Sequence, residues 1–225
     1  MTMVDPAPTL RLLAWLSPAF PTGGFAYSHG IEWAVEAREI GDADTLFAWV
    51  ADVLAHGTGR SDAILLRHAH RAAGDIDTLA ALVELALAVS PSRERRAEAV
   101  GQGNAFARAA QSWDQRVLRD LSAGVGDIPY AVAVGALAGV SGIDAELATA
   151  GVLQAFAANL ISAAVRLVPL GQTAGLAVLA RLEPVILDVT RQTRSATLDE
   201  LGGFCFLSDI ASMRHETQYT RLFRS

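Results

Sequence analysis

Apolar residues recur along this chain every three or four positions, and short polar residues stand at the start of each run. Asp42 or Asp44 precedes Phe47, Val50, Val53 and Leu54. Ser61 or Asp62 precedes Ile64, Leu65 and His68, and Asp75 or Asp77 precedes Leu79, Leu82, Val83 and Leu87. A short side chain that accepts from a free first-turn amide starts a helix, and this spacing gathers the apolar side chains on one face. Ser90-Pro91 opens a further helix, expected from about Pro91 to Leu121. Arg93, Glu94, Arg95, Arg96 and Glu98 crowd its first turns, and Gly101 and Gly103 weaken its middle. Alternation at period two is hard to find and no Asn-Gly or Asp-Gly turn occurs, so β-branched Pro184–Val189 reads as helix like its neighbours. Between Pro129 and Leu182 the only charges are Asp144, Glu146, Arg166 and Arg181, the mark of helices at the centre of a fold. The pattern predicts an all-α protein, a single-domain helical bundle of roughly ten helices over residues 1–208. Residues 209–225 are expected to form a separate C-terminal tail.

Composition narrows the chemistry. At 225 residues, 52% hydrophobic and 19% charged, the chain can bury a full core. A net charge of -6 argues against nucleic acid as a partner. All 18 cationic side chains are arginine, which excludes a P-loop lysine, a Schiff-base amine and a lysine base. Cys205 is the single cysteine, so an internal disulfide and a multi-cysteine zinc site are excluded and a cytoplasmic location is expected. The first residues lack the basic-then-apolar order of a signal peptide. Leu147–Val165 is uncharged over nearly the ~20 residues of a membrane span. Thr149, Gln154, Asn159 and Ser162 interrupt it, so it reads as a buried core helix and no membrane is expected.

No set of residues assembles a catalytic centre. Phe20-Pro21-Thr22-Gly23-Gly24-Phe25 reads as a tight turn flanked by packing anchors. Ser28 reads as the cap of a helix carrying Glu32 and Glu36, with His29 an ordinary polar residue at its end. His68 and His70 diverge on a helix, His70 toward solvent. Glu94 and Glu98 read as part of a solvated face. Arg166, between two uncharged stretches, reads as a structural arginine bonded to helix-end carbonyls. His215-Glu216-Thr217-Gln218-Tyr219 starts like a zinc-protease helix but has tyrosine where the second histidine belongs. The chain is therefore not expected to be an enzyme. The alternative is a metal-dependent hydrolase using His29 and His215.

The last fifteen residues carry three arginines, a histidine, a glutamate, a tyrosine and a phenylalanine, side chains that anchor interfaces. Together with two upstream blocks they give the chain a likeness. Leu16–Glu32, Asn159–Gln172 and Asp209–Ser225 resemble, in order and separation, the UreF family of urease accessory proteins, with a weaker match around Arg93-Glu94 and Gly101. In the first block the resemblance rests on Pro21, Gly23, Gly24, Phe25, His29, Gly30 and Glu32, and in the second on Arg166, Pro169, Gly171 and Gln172. Ala174-Gly175-Leu176 and the segment Phe204–Ser208 depart from the family's usual pattern. The resemblance implies a non-catalytic, all-α homodimer that binds UreD (also called UreH), recruits the GTPase UreG and acts on urease apoprotein during nickel insertion. It implies no tightly bound cofactor: nickel is handled transiently by the complex, and GTP belongs to UreG. Arg214, His215, Glu216, Tyr219, Arg221, Leu222, Phe223 and Arg224 would dock on partners, in a tail loose until bound. No firm metal ligand follows; His215 and Cys205 stand as candidates for a transient nickel contact.

Overall fold

A computed structural model describes residues 5–113 and 116–225. Among these the chain forms eleven α-helices and no strand. They are α1 (Ala7–Trp15), α2 (Ile31–Glu36), α3 (Ala43–His56), α4 (Thr58–Arg71), α5 (Ile76–Ala88), α6 (Arg93–Ala109), α7 (Arg116–Val125), α8 (Tyr130–Val140), α9 (Ala145–Leu167), α10 (Gln172–Gln192) and α11 (Phe206–His215). The fold is all-α, as the periodicity predicts.

Local signals place several helix starts. Asp42 accepts from the amides of Asp44 and Thr45, and Asp75 accepts from that of Thr78. Others fall elsewhere. α4 begins at Thr58 behind Gly57, which leaves Ser61 and Asp62 inside its first turns. Ser92, not Ser90, caps α6 by accepting from Arg95. The single helix expected over 91–121 is two, α6 and α7, separated by a 3₁₀ turn at Ala110–Ser112 and by Asp114 and Gln115, which lie outside the described residues. α10 runs through Pro184, which lacks the amide for one helix bond.

Two apolar clusters adjoin. Trp15, Leu66, Phe106, Leu118 and Leu137 centre the first; Ile31, Leu46, Leu54, Leu160 and Leu182 centre the second. α4 and α9 supply side chains to both, which ties the clusters into one body. α9 is long and apolar enough to cross a membrane, and half of its most apolar stretch is buried within the bundle. The expected tail boundary at 208/209 falls inside α11, which packs on α2 and α6. Buried Arg67 joins α4 to α9 and α10, donating to Thr193 Oγ1, Glu146 Oε1 and the Thr190 carbonyl. Arg194 and Arg67 together hold the Glu146 carboxyl down at about 2. His70 is half-buried on the Ile143 carbonyl (2.7 Å) where solvent was expected, because the α8–α9 turn folds over the end of α4.

α4 and α8 meet at Gly135, where a Cβ would stand 2.3 Å from the Leu66 carbonyl oxygen. Alanine would gain about 1 kcal/mol of helix propensity at that position. Overpacking against fixed backbone costs up to about 3 kcal/mol and wins. Gly135→Ala is expected to lower stability by about 2 kcal/mol in urea titration. A variant as stable as the parent would show that the two helices separate freely.

Candidate functional site

The polar centre of the molecule is built where α2, α6, α11 and the last ten residues converge. Its first element is a tight reversal before α2. His29 and Gly30 both take left-handed backbone, with φ of 58° and 79°. Histidine enters that region more readily than most side chains, and glycine enters it without strain. Gly30 has a second reason to lack a side chain, because α11 crosses it: a Cβ would meet the Ser212 amide nitrogen at 2.9 Å. The reversal turns Ser28, His29 and Glu32 inward, all nearly inaccessible to solvent. The Ser28 hydroxyl accepts from the Glu32 amide, as a cap would, although Gly30 holds the N-cap position. The Ser28 amide and hydroxyl also both donate to the Ser225 main-chain oxygen, the amide at 2.7 Å.

α11 brings His215 into this centre with no exposed surface. Its Nδ1 lies 2.8 Å from Glu94 Oε2 and its Nε2 lies 3.1 Å from Glu32 Oε2. Two such bonds need two bridging protons, shared among the ring and the carboxyl groups. Glu32 also accepts from the amides of Leu222 (2.7 Å) and Phe223 (3.0 Å), and Arg221 reaches Glu94 Oε1 at 3.2 Å. Burial pushes the Glu94 carboxyl up, against the opposing pull of His215 and Arg221. The chain after α11 thus closes a loop around Glu32. Phe223 is buried beneath the Arg166 guanidinium, 4.2 Å from its ring centre.

Glu98, one turn beyond Glu94, holds the second layer. Its Oε2 lies 3.1 Å from His29 Nδ1 and accepts from Ser225 Oγ (3.0 Å), and its Oε1 accepts from Gln102. Burial pushes this carboxyl up to about 7 from an ordinary 4.5. A folded-state value above the unfolded one gives stability that is complete below pH 4.5 and lost as pH rises through about 7. Glu98→Gln removes that titration. In urea midpoints measured from pH 4.5 to 8, the parent is expected to lose stability relative to Glu98→Gln as pH rises. Parallel curves would refute the assignment.

The structure redistributes the residues expected from sequence. His29 does lie at the start of α2, but it is buried and bonded to Glu98 instead of being an ordinary polar residue there. Glu94 and Glu98 are buried, not a solvated face, because α11 and the final residues cover that side of α6. Arg166 is exposed and does bond carbonyls, those of Ser162 and Phe25. Gly23 (φ 75°) makes the expected turn and Phe20 packs on Phe106 and Trp113, but the Phe25 side chain is largely exposed. Pro169, Gly171 and Gln172 are exposed in the turn from α9 into α10, and Pro21 is exposed in its own loop. Of the final segment, His215 and Phe223 are internal, and Glu216 is half-buried and paired with Arg93. Arg214, Tyr219, Arg221, Leu222 and Arg224 face outward. This segment has little apolar area, but it is held by buried charged hydrogen bonds instead. Ser28, Glu94, Glu98 and Ser225 were missed as site residues. The four-residue interval between Glu94 and Glu98 was the available signal, since it puts both on one helix face.

This geometry does not suit the hydrolase alternative. Both His215 nitrogens are engaged by carboxyl groups, and His29 Nδ1 is held by Glu98. Among the described residues no three histidine, cysteine or acidic side chains are arranged to hold a metal ion. Cys205 is half-buried, and burial pushes its thiol up, away from the metal-binding thiolate.

Fold and site together define an all-helical protein whose charged side chains pin its own terminal segment into an ordered surface. The comparisons narrow the class. Residues 40–183 match the family model described as UreF. Over 228 residues the chain is 50% identical to the urease accessory protein UreF of Bradyrhizobium sp. (strain BTAi1), covering 100% of this chain and 95% of the relative. It is 48% identical to that of Rhodopseudomonas palustris (strain BisB18), at the same coverage, and 50% identical to that of Xanthobacter autotrophicus, over 98% of this chain and 92% of the relative. The chain belongs to the UreF family of urease accessory proteins. The family model leaves out the first and third sequence blocks, whereas the full-length relatives span them.

Proposed function

We propose that the protein is a non-catalytic, cytoplasmic scaffold for nickel insertion into urease. As a homodimer it bridges UreD/UreH and the GTPase UreG and presents them to the urease apoprotein. GTP is bound by UreG, and nickel passes transiently through the complex without a resident site on this chain. The observation that carries the reading is the final segment. Arg214, Tyr219, Arg221, Leu222 and Arg224 are outward-facing on backbone anchored by Glu32 and Ser28, with the Arg221 guanidinium held on Glu94. Arginine and tyrosine on an ordered backbone bind with little further loss of conformational freedom. His215, Glu216 and Phe223 hold that surface in place from beneath, so a nickel contact at His215 would require the segment to open. The chain's lack of lysine agrees with placing the nucleotide site on a partner. For the homodimer, α11 offers an exposed apolar face of Phe206, Leu207, Ile210 and Met213, extended by Phe204. The turn around Pro169, Gly171 and Gln172 and the exposed Pro21 and Phe25 supply further contact surface.

The test is co-purification. Tyr219→Ala, Leu222→Ala and Arg224→Ala combined should leave the melting temperature within about 2 °C, as exposed substitutions do. The same variant should lower capture of UreD/UreH or UreG at least tenfold. Undiminished capture of both would remove the final segment from the docking role.

A further inference from the structure

A cavity of about 850 Å³ lies behind the Glu98 layer, with Trp15, Phe20, Leu65 and Phe156 among its apolar walls and Arg95, His29 and Asp62 among its polar ones. Arg95 is 4% exposed. Its Nη2 donates to the carbonyl and hydroxyl of Ser208, while Nε and Nη1 are buried without a partner. Glu98 and Asp209 are close enough to act on its charge, and desolvation nevertheless brings the guanidinium down to about 10. Neither carboxylate bonds it, and the Glu98 oxygens are taken by His29, Ser225 and Gln102. Trp15 Nε1 and His29 Nε2 are also buried and unbonded on the same cavity. Arginine and indole nitrogens can only donate, and the imidazole nitrogen can donate in one tautomer. The cavity therefore concentrates idle donors and one incompletely compensated positive charge, a combination costly to keep out of water.

We propose that this cavity is a binding site for a small monocarboxylic acid, whose carboxylate accepts from Arg95 and whose apolar body lies among Trp15, Phe20 and Phe156. A neutral ligand would leave the guanidinium uncompensated. A dianion would meet Glu98 and Asp209. A ring-sized acid fits the volume, which is within the usual range for small-molecule pockets. The cavity shares Pro21 and Phe25 with the further contact surface but not the final segment, and it is assayed on the chain alone, so its outcome does not depend on partner binding.

The experiment uses the full chain, fluorine NMR, and 4-fluorobenzoate as the probe, with 4-fluorobenzyl alcohol as the neutral control. The acid is expected to saturate at one per chain and to bind at least tenfold more tightly than the alcohol. Arg95→Met, which keeps the bulk and removes the donors, should weaken the acid at least tenfold without affecting the alcohol. Ala155→Trp fills the cavity from α9 with Arg95 retained and should exclude both probes, which covers the case in which Arg95→Met fails to fold. Equal binding of acid and alcohol, undiminished binding by either folded variant, or no saturation at millimolar probe overturns the proposal.

Discussion

His215→Ala is expected to destabilise the protein by about 3–5 kcal/mol, the cost of removing one partner from a buried ionic cluster. For a chain of this size that lowers the melting temperature by on the order of 10 °C. The loss is large because the imidazole separates two buried acids. Without it, Glu32 and Glu94 keep only the Leu222 and Phe223 amides and Arg221 as partners, with an unfilled space between them. A purely packing role predicts less, since a buried imidazole carries little apolar area. The triple variant His215→Ala, Glu32→Gln, Glu94→Gln separates the two accounts. If unpaired charge is the main penalty, neutralising both acids restores part of the loss. A single variant within about 1 kcal/mol of the parent would show that the cluster does not hold this region together.

Deletion after Thr220 is the second large effect, and it differs from a deletion after Asp209, near the tail boundary expected from sequence. Removing 210–225 takes out His215 and the Ser212 hydroxyl that meets Ser92 at 2.5 Å. It should therefore damage the fold as well as docking. Removing 221–225 leaves α11 and His215 in place. It deletes Arg221 from Glu94, two amides from Glu32 and Ser225 from Ser28 and Glu98. Charged hydrogen bonds of this kind contribute about 1.5–3 kcal/mol each and are not additive here, so a loss of about 3 kcal/mol is expected with the helical content intact. Amide exchange should quicken at Ser28 and Glu32 before it does in α4 or α8. Partner capture should fall with the shorter deletion as steeply as with the longer one. If only the longer deletion affects capture, docking belongs to α11 and not to the residues beyond it.

How far the site was legible depended on the range of the forces involved. Asp42 and Asp75 act on amides two or three residues away, and each cap is one of the two candidates the sequence offered for it. The break between α6 and α7 went unseen, because the run from Arg93 to Leu121 contains no proline or strong stop signal. Glu94 and Glu98 on their arginine-rich helix looked like any solvated face. Arg166 drew attention as a charge between two uncharged stretches, yet its guanidinium is exposed. A lone charge on an apolar helix end reaches outward as readily as inward. Buried Arg67 gave no such signal, since its partners come from α9 and α10.

By itself, the sequence determined the all-helical class, the starts of α3 and α5, the family resemblance and the exclusion of lysine chemistry. These follow from periodicity, capping and residue identity, which act locally or not through space at all. Only the tertiary structure decided which acids are buried and what the last residues do. His215 lies 121 residues from Glu94 and 183 from Glu32 along the chain, and the three meet only because α11 crosses the Gly30 reversal. Burial of a charge is set by what packs over it, and that covering comes from the far end of the chain.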